Sequence, residues 1–103
     1  MVRREPHARF HLAATLAVVA IAWWLGCAAV EWALLVLAIG AVWTAEALNT
    51  AMERLCDRVQ PEIDESIRAI KDVAAGGVLA ASMAAFVVGS VILVPKLMVL
   101  LEQ

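Results

Sequence analysis

Four polar residues that could do chemistry recur along one stretch of the chain: Glu46, Asn49, Glu53 and Asp57. At about 100° per residue on a helix, their side chains fall within an arc of roughly 80°. The stretch directly follows residues 32–45, which carry no charge. A stripe of carboxylates that continues an apolar helix is costly near a bilayer, so this pattern indicates a functional site.

The chemistry of this stripe is that of phosphoryl transfer. Lys71 and Asp72 repeat the polar pattern at the entrance to the next apolar run. Carboxylates can hold Mg²⁺ together with nucleotide phosphates, a further carboxylate can accept a hydroxyl proton, and a lysine can neutralise phosphate charge. The chain has neither a Walker-type glycine loop nor a protein-kinase signature, which excludes both ordinary phosphate cradles. Because a bilayer supplies lipid alcohols, we predict phosphoryl transfer to a lipid.

Composition places the chain in a membrane. Its 103 residues allow one domain, residues 1–103, and 64% of them are hydrophobic. The mean hydropathy is +0.87, which is typical of a membrane protein. A net charge of −2 gives no sign of a nucleic-acid partner. Cys27 and Cys56 fall at opposite ends of the predicted spans, so we expect no disulfide between them.

Three apolar runs predict an all-α protein with three transmembrane helices, at about residues 9–29, 31–59 and 66–101. Residues 12–30 and 73–94 are uncharged and long enough to cross a hydrocarbon core. Three tryptophans surround the first connection, Gly26 to Glu31, and predict one bilayer face there: Trp23, Trp24 and Trp32. A ridge of small residues on the third helix favours close helix packing: Gly77, Ala81, Ala85 and Gly89.

The basic residues predict the orientation of the chain. Seven of them lie on the side of the N-terminus and the second connection, whereas only Lys96 lies on the other side. The positive-inside rule therefore predicts a multi-pass protein of the bacterial cytoplasmic (inner) membrane, with its N-terminus and carboxylate site in the cytoplasm. A secretory signal peptide is the alternative for the first run, but that run is long for one.

The combined motif resembles the prokaryotic diacylglycerol kinase family, which includes undecaprenol kinases. The resemblance rests on Glu46-x-x-Asn49-Thr50-x-x-Glu53-x-x-x-Asp57, followed by the segment 71–79, KDVAAGGVL. It extends to Glu5, Arg9 and His11 and covers nearly the whole chain. It implies a homotrimer with active sites shared between chains. The implied reaction transfers the ATP γ-phosphoryl group to a lipid hydroxyl, with Mg²⁺ as cofactor.

The resemblance also implies roles for individual residues. Glu46 would be the general base and would meet the lipid, with Asn49 as its polar neighbour and Asp57 supporting the site. Glu5 and Glu53 would be the carboxylates for Mg²⁺ and the nucleotide. The remaining contacts would be to the nucleotide for Glu62, Ile63, Asp64, Lys71 and Asp72, and to the lipid for Arg9 and Ala75.

Two departures from the family pattern bear on nucleotide binding. Family members usually carry an amphipathic surface helix before the position of Glu5, whereas only four residues precede it here. We therefore expect weak activity with a high apparent KM for Mg·ATP, unless the start is truncated. Relatives commonly have an aromatic residue and a histidine where this chain has Ile63 and Asp64.

Other interpretations stay open at this point. Glu46 could be a structural carboxylate paired with Arg54 or Arg58, and Asn49 could join helices by a hydrogen bond. His7 and His11 are expected to make interfacial polar contacts and not to bind metal. A catalytically weak or inactive membrane scaffold, and a small carboxylate-dependent transporter, compete with the kinase. The lipid substrate is either diacylglycerol, giving phosphatidic acid, or undecaprenol, giving undecaprenyl phosphate.

Overall fold

The computed structural model describes residues 6–62 and 64–103, with side chains from Arg9 onward. It contains three helices, α1 (Pro6–Leu25), α2 (Ala29–Val59) and α3 (Glu65–Leu101). The predicted all-α architecture is therefore confirmed in the described part of the chain. Glu5 and Ile63, both predicted to contact the nucleotide, lie outside the described residues.

The first helix ends earlier than the sequence predicts, at Leu25 and not at about residue 29. Gly26 has a φ of 75°, a left-handed conformation that glycine adopts without steric cost. Its N–H and that of Cys27 both donate to the Ala22 carbonyl, at 3.1 and 3.3 Å. The connection predicted from Gly26 to Glu31 thus begins at the residue that follows α1, although residues 27–30 are as hydrophobic as the helix before them.

The second connection is closed by a side-chain cap. Asp64 has an extended backbone, and its Oδ1 accepts the backbone N–H of Ile67 at 2.9 Å, which starts α3. Gln60 ends α2 by donating its N–H to the Cys56 carbonyl at 2.8 Å. Pro61, which has no N–H, follows at once. The break predicted at Gln60-Pro61 is thus found where the sequence places it.

The three helices run antiparallel in chain order and form a narrow rod about 59 Å long. α2 packs chiefly on α3, while α1 makes fewer contacts with each. We call the end with the α1 N-terminus and the α2–α3 connection the site end, and the other the far end. Three apolar side chains form the buried cluster at the far end: Ala22, Leu35 and Ile92. The carboxylates of the α2 stripe lie toward the site end.

Very few side chains are buried by a single chain. Of the described residues, only Ala22, Leu35, Cys56 and Ile92 are buried, and large hydrophobic residues are exposed along all three helices. Exposing this much apolar surface to water is unfavourable, whereas contact with lipid is not. α2 and α3 are long and apolar enough to cross a membrane. The shorter apolar helix is Arg9–Leu25.

The small-residue ridge of α3 is not used for close packing within one chain. A Cβ placed at Gly77 or at Gly89 would meet no heavy atom within 4 Å. Nothing inside the described chain therefore requires glycine at these positions, and the close approach that the ridge predicts would have to come from a neighbouring molecule.

Candidate active site

A pocket of about 770 Å³ opens between the three helices toward the site end. Its polar wall comes from α2, because the 3.6-residue period turns one stripe of that helix inward. α1 and α3 supply the remaining wall. The polar lining residues are His11, Glu46, Asn49, Thr50, Glu53, Arg54, Asp57 and Ser82. The other lining residues are Trp43, Ala47, Ala75, Val78 and Leu79.

Glu46 is paired across the helices with His11. The imidazole Nε2 contacts the carboxylate Oε2, and the two side chains are only 17% and 20% exposed. An ionised carboxylate only accepts hydrogen bonds, so Nε2 carries the proton in this contact. The structure thus gives Glu46 a partner on α1, where the sequence offered Arg54 or Arg58 on its own helix.

Thr15 and Trp43 surround this pair with a second contact between α1 and α2. The Thr15 hydroxyl donates to the His11 backbone carbonyl at 2.7 Å and accepts the Trp43 indole N–H at 2.9 Å. The indole and imidazole rings meet edge to face with centroids 6.3 Å apart. His11 is therefore held through its backbone, its ring face and its Nε2 atom.

Asn49 and Glu53 form the next layer of the stripe. Asn49 Nδ2 donates to Glu53 Oε2 at 3.0 Å, and Asn49 Oδ1 is buried without a hydrogen-bond partner. A buried carbonyl oxygen without a donor carries a desolvation cost. The pocket thus offers an unpaired amide oxygen beside a carboxylate, and both are the hard oxygen ligands that Mg²⁺ prefers.

A metal site made of protein ligands alone is not present in the described chain. No three His, Cys, Asp or Glu side chains there lie close enough together to hold a metal ion. Mg²⁺ does not need such a cluster, because it takes one or two carboxylates and leaves other positions to waters and phosphates. Glu53 and the Asn49 oxygen fit such a shared site as part of its ligand set.

Asp57 connects the pocket with Lys71 at the start of α3. Lys71 Nζ donates to Asp57 Oδ1 at 2.9 Å. The lysine does not line the pocket itself, whereas Asp57 does. The pair therefore holds a cation beside the polar mouth of the pocket, and the lysine keeps two further N–H groups for an anion.

The other predicted site residues are distributed more widely. Ala75 lines the pocket, while Arg9, Glu62 and Asp72 are exposed outside its lining. Asp64 caps α3 with one oxygen and accepts the Gln60 side chain with the other, at 3.3 Å. The roles assigned to these residues stay predictions.

Sequence reasoning did not place His11, Thr15 or Trp43 in the site. His11 was expected only to make an interfacial contact, and the other two lie in apolar runs. A local signal existed, because His11 and Thr15 are four residues apart and Trp43 and Glu46 three apart, so each pair shares a helix face. The sequence of one helix does not specify which of its faces packs against which face of another helix.

Comparison with known proteins gives a consistent result. The sequence profile of the prokaryotic diacylglycerol kinase family matches residues 1–93. An undecaprenol kinase of Bacillus subtilis is 34% identical over 95 residues, which cover 92% of this chain and 77% of that protein. A diacylglycerol kinase of Synechocystis sp. is 38% identical over 94 residues; they cover 90% of this chain and about half, 54%, of that relative. No solved structure matches.

Proposed function

The chain belongs to the prokaryotic diacylglycerol kinase family, and from this premise we propose that it transfers the ATP γ-phosphoryl group to the hydroxyl of a membrane lipid. The observation that carries the proposal is the pocket between the helices, where a row of carboxylates faces an apolar wall. A lipid alcohol needs the apolar wall, and a nucleotide with its metal needs the polar one.

The depth of Glu46 supports a lipid acceptor. Trp32 lies at the far end, and the helical rise puts Glu46 about 21 Å and Asp57 about 37 Å beyond it along α2. If the exposed tryptophans Trp23 and Trp24 mark one interface, a hydrocarbon core of about 30 Å ends between Glu46 and Asp57. Glu46 then lies about 9 Å inside the hydrocarbon edge, on the lipid side of the site, and Asp57 lies among the headgroups.

In the proposed reaction Glu46 is the general base. It accepts the proton of the lipid hydroxyl while the hydroxyl oxygen forms a bond to the γ-phosphorus and the bond to the ADP oxygen breaks. One carboxylate oxygen, Oε2, is occupied by His11. The other, Oε1, is the atom left to accept the proton.

The nucleotide would lie on the polar side of Glu46, toward the site end. Mg²⁺, held by Glu53, Glu5 and the Asn49 oxygen together with the phosphates, would neutralise charge on the transferred group. Lys71, supported by Asp57, would contact the phosphates, and Asp72, Glu62, Ile63 and Asp64 would complete the nucleotide contacts. Arg9 and Ala75 would meet the lipid.

Two lipid substrates fit the proposal. The relative from Bacillus subtilis is named an undecaprenol kinase and that from Synechocystis a diacylglycerol kinase. Both lipids present a single primary hydroxyl to the pocket, so the product is phosphatidic acid or undecaprenyl phosphate. The kinase acts from the cytoplasmic face of the inner membrane, where ATP is available and where the basic residues of the site end belong.

The working form we propose is a homotrimer with three membrane-crossing helices per chain. A second groove of about 670 Å³ lies between α2 and α3, lined almost entirely by apolar residues such as Leu48, Met52 and Val73. Asn49 borders this groove as well as the active-site pocket. A second copy of the chain packed there would shield the polar stripe from lipid.

The proposal is tested by lipid-dependent phosphorylation in vesicles. With Mg²⁺ and γ-labelled ATP, the purified protein should transfer label to diacylglycerol or undecaprenol, and ATP use should require the lipid. Glu46→Gln cannot accept the proton and should lower turnover about 10²- to 10⁴-fold. Glu31→Gln makes the same chemical change at the far end and should leave turnover unchanged.

Three results would contradict the proposal. Near-normal turnover of Glu46→Gln would remove that residue as the base. Absence of lipid-dependent ATP use would leave the scaffold as the better interpretation. Ion flux abolished by Glu46→Gln, without label transfer, would favour the carboxylate-dependent transporter.

A further inference from the structure

A general base can act only if its side chain points one oxygen at the acceptor hydroxyl. A displacement of about 1 Å can cost on the order of a hundredfold in rate. The Glu46 side chain has rotatable bonds, so a neighbouring group must hold its carboxylate in the productive direction.

His11 has the geometry to do this. Its Nε2 contacts one oxygen of Glu46, which leaves the other oxygen to face the acceptor. The imidazole is itself fixed, because the Trp43 indole lies against its ring and the Thr15 hydroxyl holds its backbone carbonyl. Trp43 precedes Glu46 by almost one turn of α2, and Thr15 follows His11 by one turn of α1.

We infer that His11 is a positioning residue, which turns the Glu46 carboxylate so that Oε1 meets the lipid hydroxyl, with Thr15 and Trp43 holding the imidazole in place. This inference rests on the proposed function, in which Glu46 is the general base. His11 need not touch the lipid or the nucleotide. Its effect passes through Glu46 alone.

The Thr15–Trp43 contact distinguishes this arrangement from a chance interfacial pair. Thr15 uses its single O–H on the His11 carbonyl and its oxygen on the indole N–H, at 2.7 and 2.9 Å. Hydrogen bonds on both sides of this hydroxyl fix its orientation and that of the indole. The network also spans α1 and α2, which otherwise pack on each other sparingly, so it sets the distance between His11 and Glu46.

The test compares two amide substitutions of His11. In His11→Gln the amide nitrogen would lie near the place of imidazole Nε2, whereas in His11→Asn it would reach only the place of Nδ1. We expect His11→Gln to keep most of the turnover and His11→Asn and His11→Leu to lower kcat about tenfold to hundredfold. The KM for ATP should stay within about twofold in all three, because the nucleotide side of the site is untouched.

The decisive measurement repeats His11→Leu in the Glu46→Gln background. If His11 acts through the carboxylate, the double variant should be no slower than Glu46→Gln alone, since coupled residues are not additive. A further loss equal to that in the wild-type background would show a merely structural role and overturn the inference. The inference also fails if His11→Asn keeps full kcat, or if the KM for ATP rises in place of the kcat loss.

The supporting residues allow a matched pair of variants. Thr15→Val removes both hydrogen bonds at nearly constant volume and should lower kcat less than His11→Leu. Thr44→Val makes the same change at an exposed α2 position outside the pocket lining and should have no effect. If Glu46→Gln itself turns over normally, both the proposed function and this inference fail. If only the His11 variants are normal, the inference alone fails.

Discussion

At the scale of single residues, Lys71 and Asp57 show why an ion pair can matter for function without mattering for stability. Their contact of 2.9 Å joins side chains that are 32% and 65% exposed. Water and salt weaken such pairs, and exposed pairs contribute little to folding. In the proposed reaction the lysine is instead a phosphate ligand, which Asp57 keeps beside the pocket mouth.

Lys71→Met should therefore raise the KM for Mg·ATP about tenfold to hundredfold, as expected for loss of one charge-assisted hydrogen bond to phosphate. Its melting temperature in detergent should stay close to that of the parent chain. Asp57→Asn should raise KM less, because the lysine remains. Lys96→Met is the matched control at the far end, and an equal KM effect there would argue against a local phosphate contact.

At the scale of helices, the far end is held by one carboxylate with two tasks. Glu31 Oε1 accepts the Ala28 backbone N–H at 2.8 Å, which caps the start of α2. The same oxygen accepts Lys96 Nζ at 2.9 Å, which joins α2 to the last part of α3. Helix starts leave N–H groups unpaired, and Glu31 supplies an acceptor for one of them. Both the cap and the ion pair therefore depend on this residue.

Three variants separate the two tasks of Glu31. Glu31→Leu removes cap and pair and should lower the melting temperature most. Glu31→Gln keeps an acceptor for Ala28, and Lys96→Met keeps the cap, so each should lower it less. Kinase turnover of the folded protein should be unchanged, since Glu46 lies about 22 Å away along α2. Equal losses in all three would mean that the cap contributes nothing.

At the scale of the whole molecule, one chain leaves its apolar surface uncovered. The described residues bury only four side chains, and neither Gly77 nor Gly89 meets a neighbour that would require glycine. Lipid covers much of such a surface, but it cannot pair the Asn49 oxygen or shield carboxylates. The proposed trimer would supply that cover.

Mixing two inactive chains tests whether the sites are shared. Glu46→Gln and Glu5→Gln chains, each inactive alone, should regain activity when refolded together if one site takes these residues from different chains. Random assembly would restore about a quarter of the sites. Labelled subunits must first be shown to exchange. No recovery after proven mixing would mean that each site belongs to one chain.

The sequence by itself determined the local features of this protein. Uncharged run lengths specified three helices, Pro61 marked the break after α2, and a 3.6-residue period put Glu46, Asn49, Glu53 and Asp57 on one stripe. All of these depend only on neighbours within a few turns. The bound of about residue 29 for the end of α1 is four residues late, whereas the connection predicted to begin at Gly26 agrees with the structure.

Only the tertiary structure decided which side chains meet across helices. From sequence, Glu46 had Arg54 or Arg58 as its available partners, whereas the fold gives it His11, thirty-five residues earlier. Lys71 meets Asp57 and Lys96 meets Glu31 by the same kind of long-range contact. Such pairings depend on the rotation and the lengthwise offset of each helix against its neighbours. Packing of the whole bundle sets both quantities, and no stretch of sequence carries them alone.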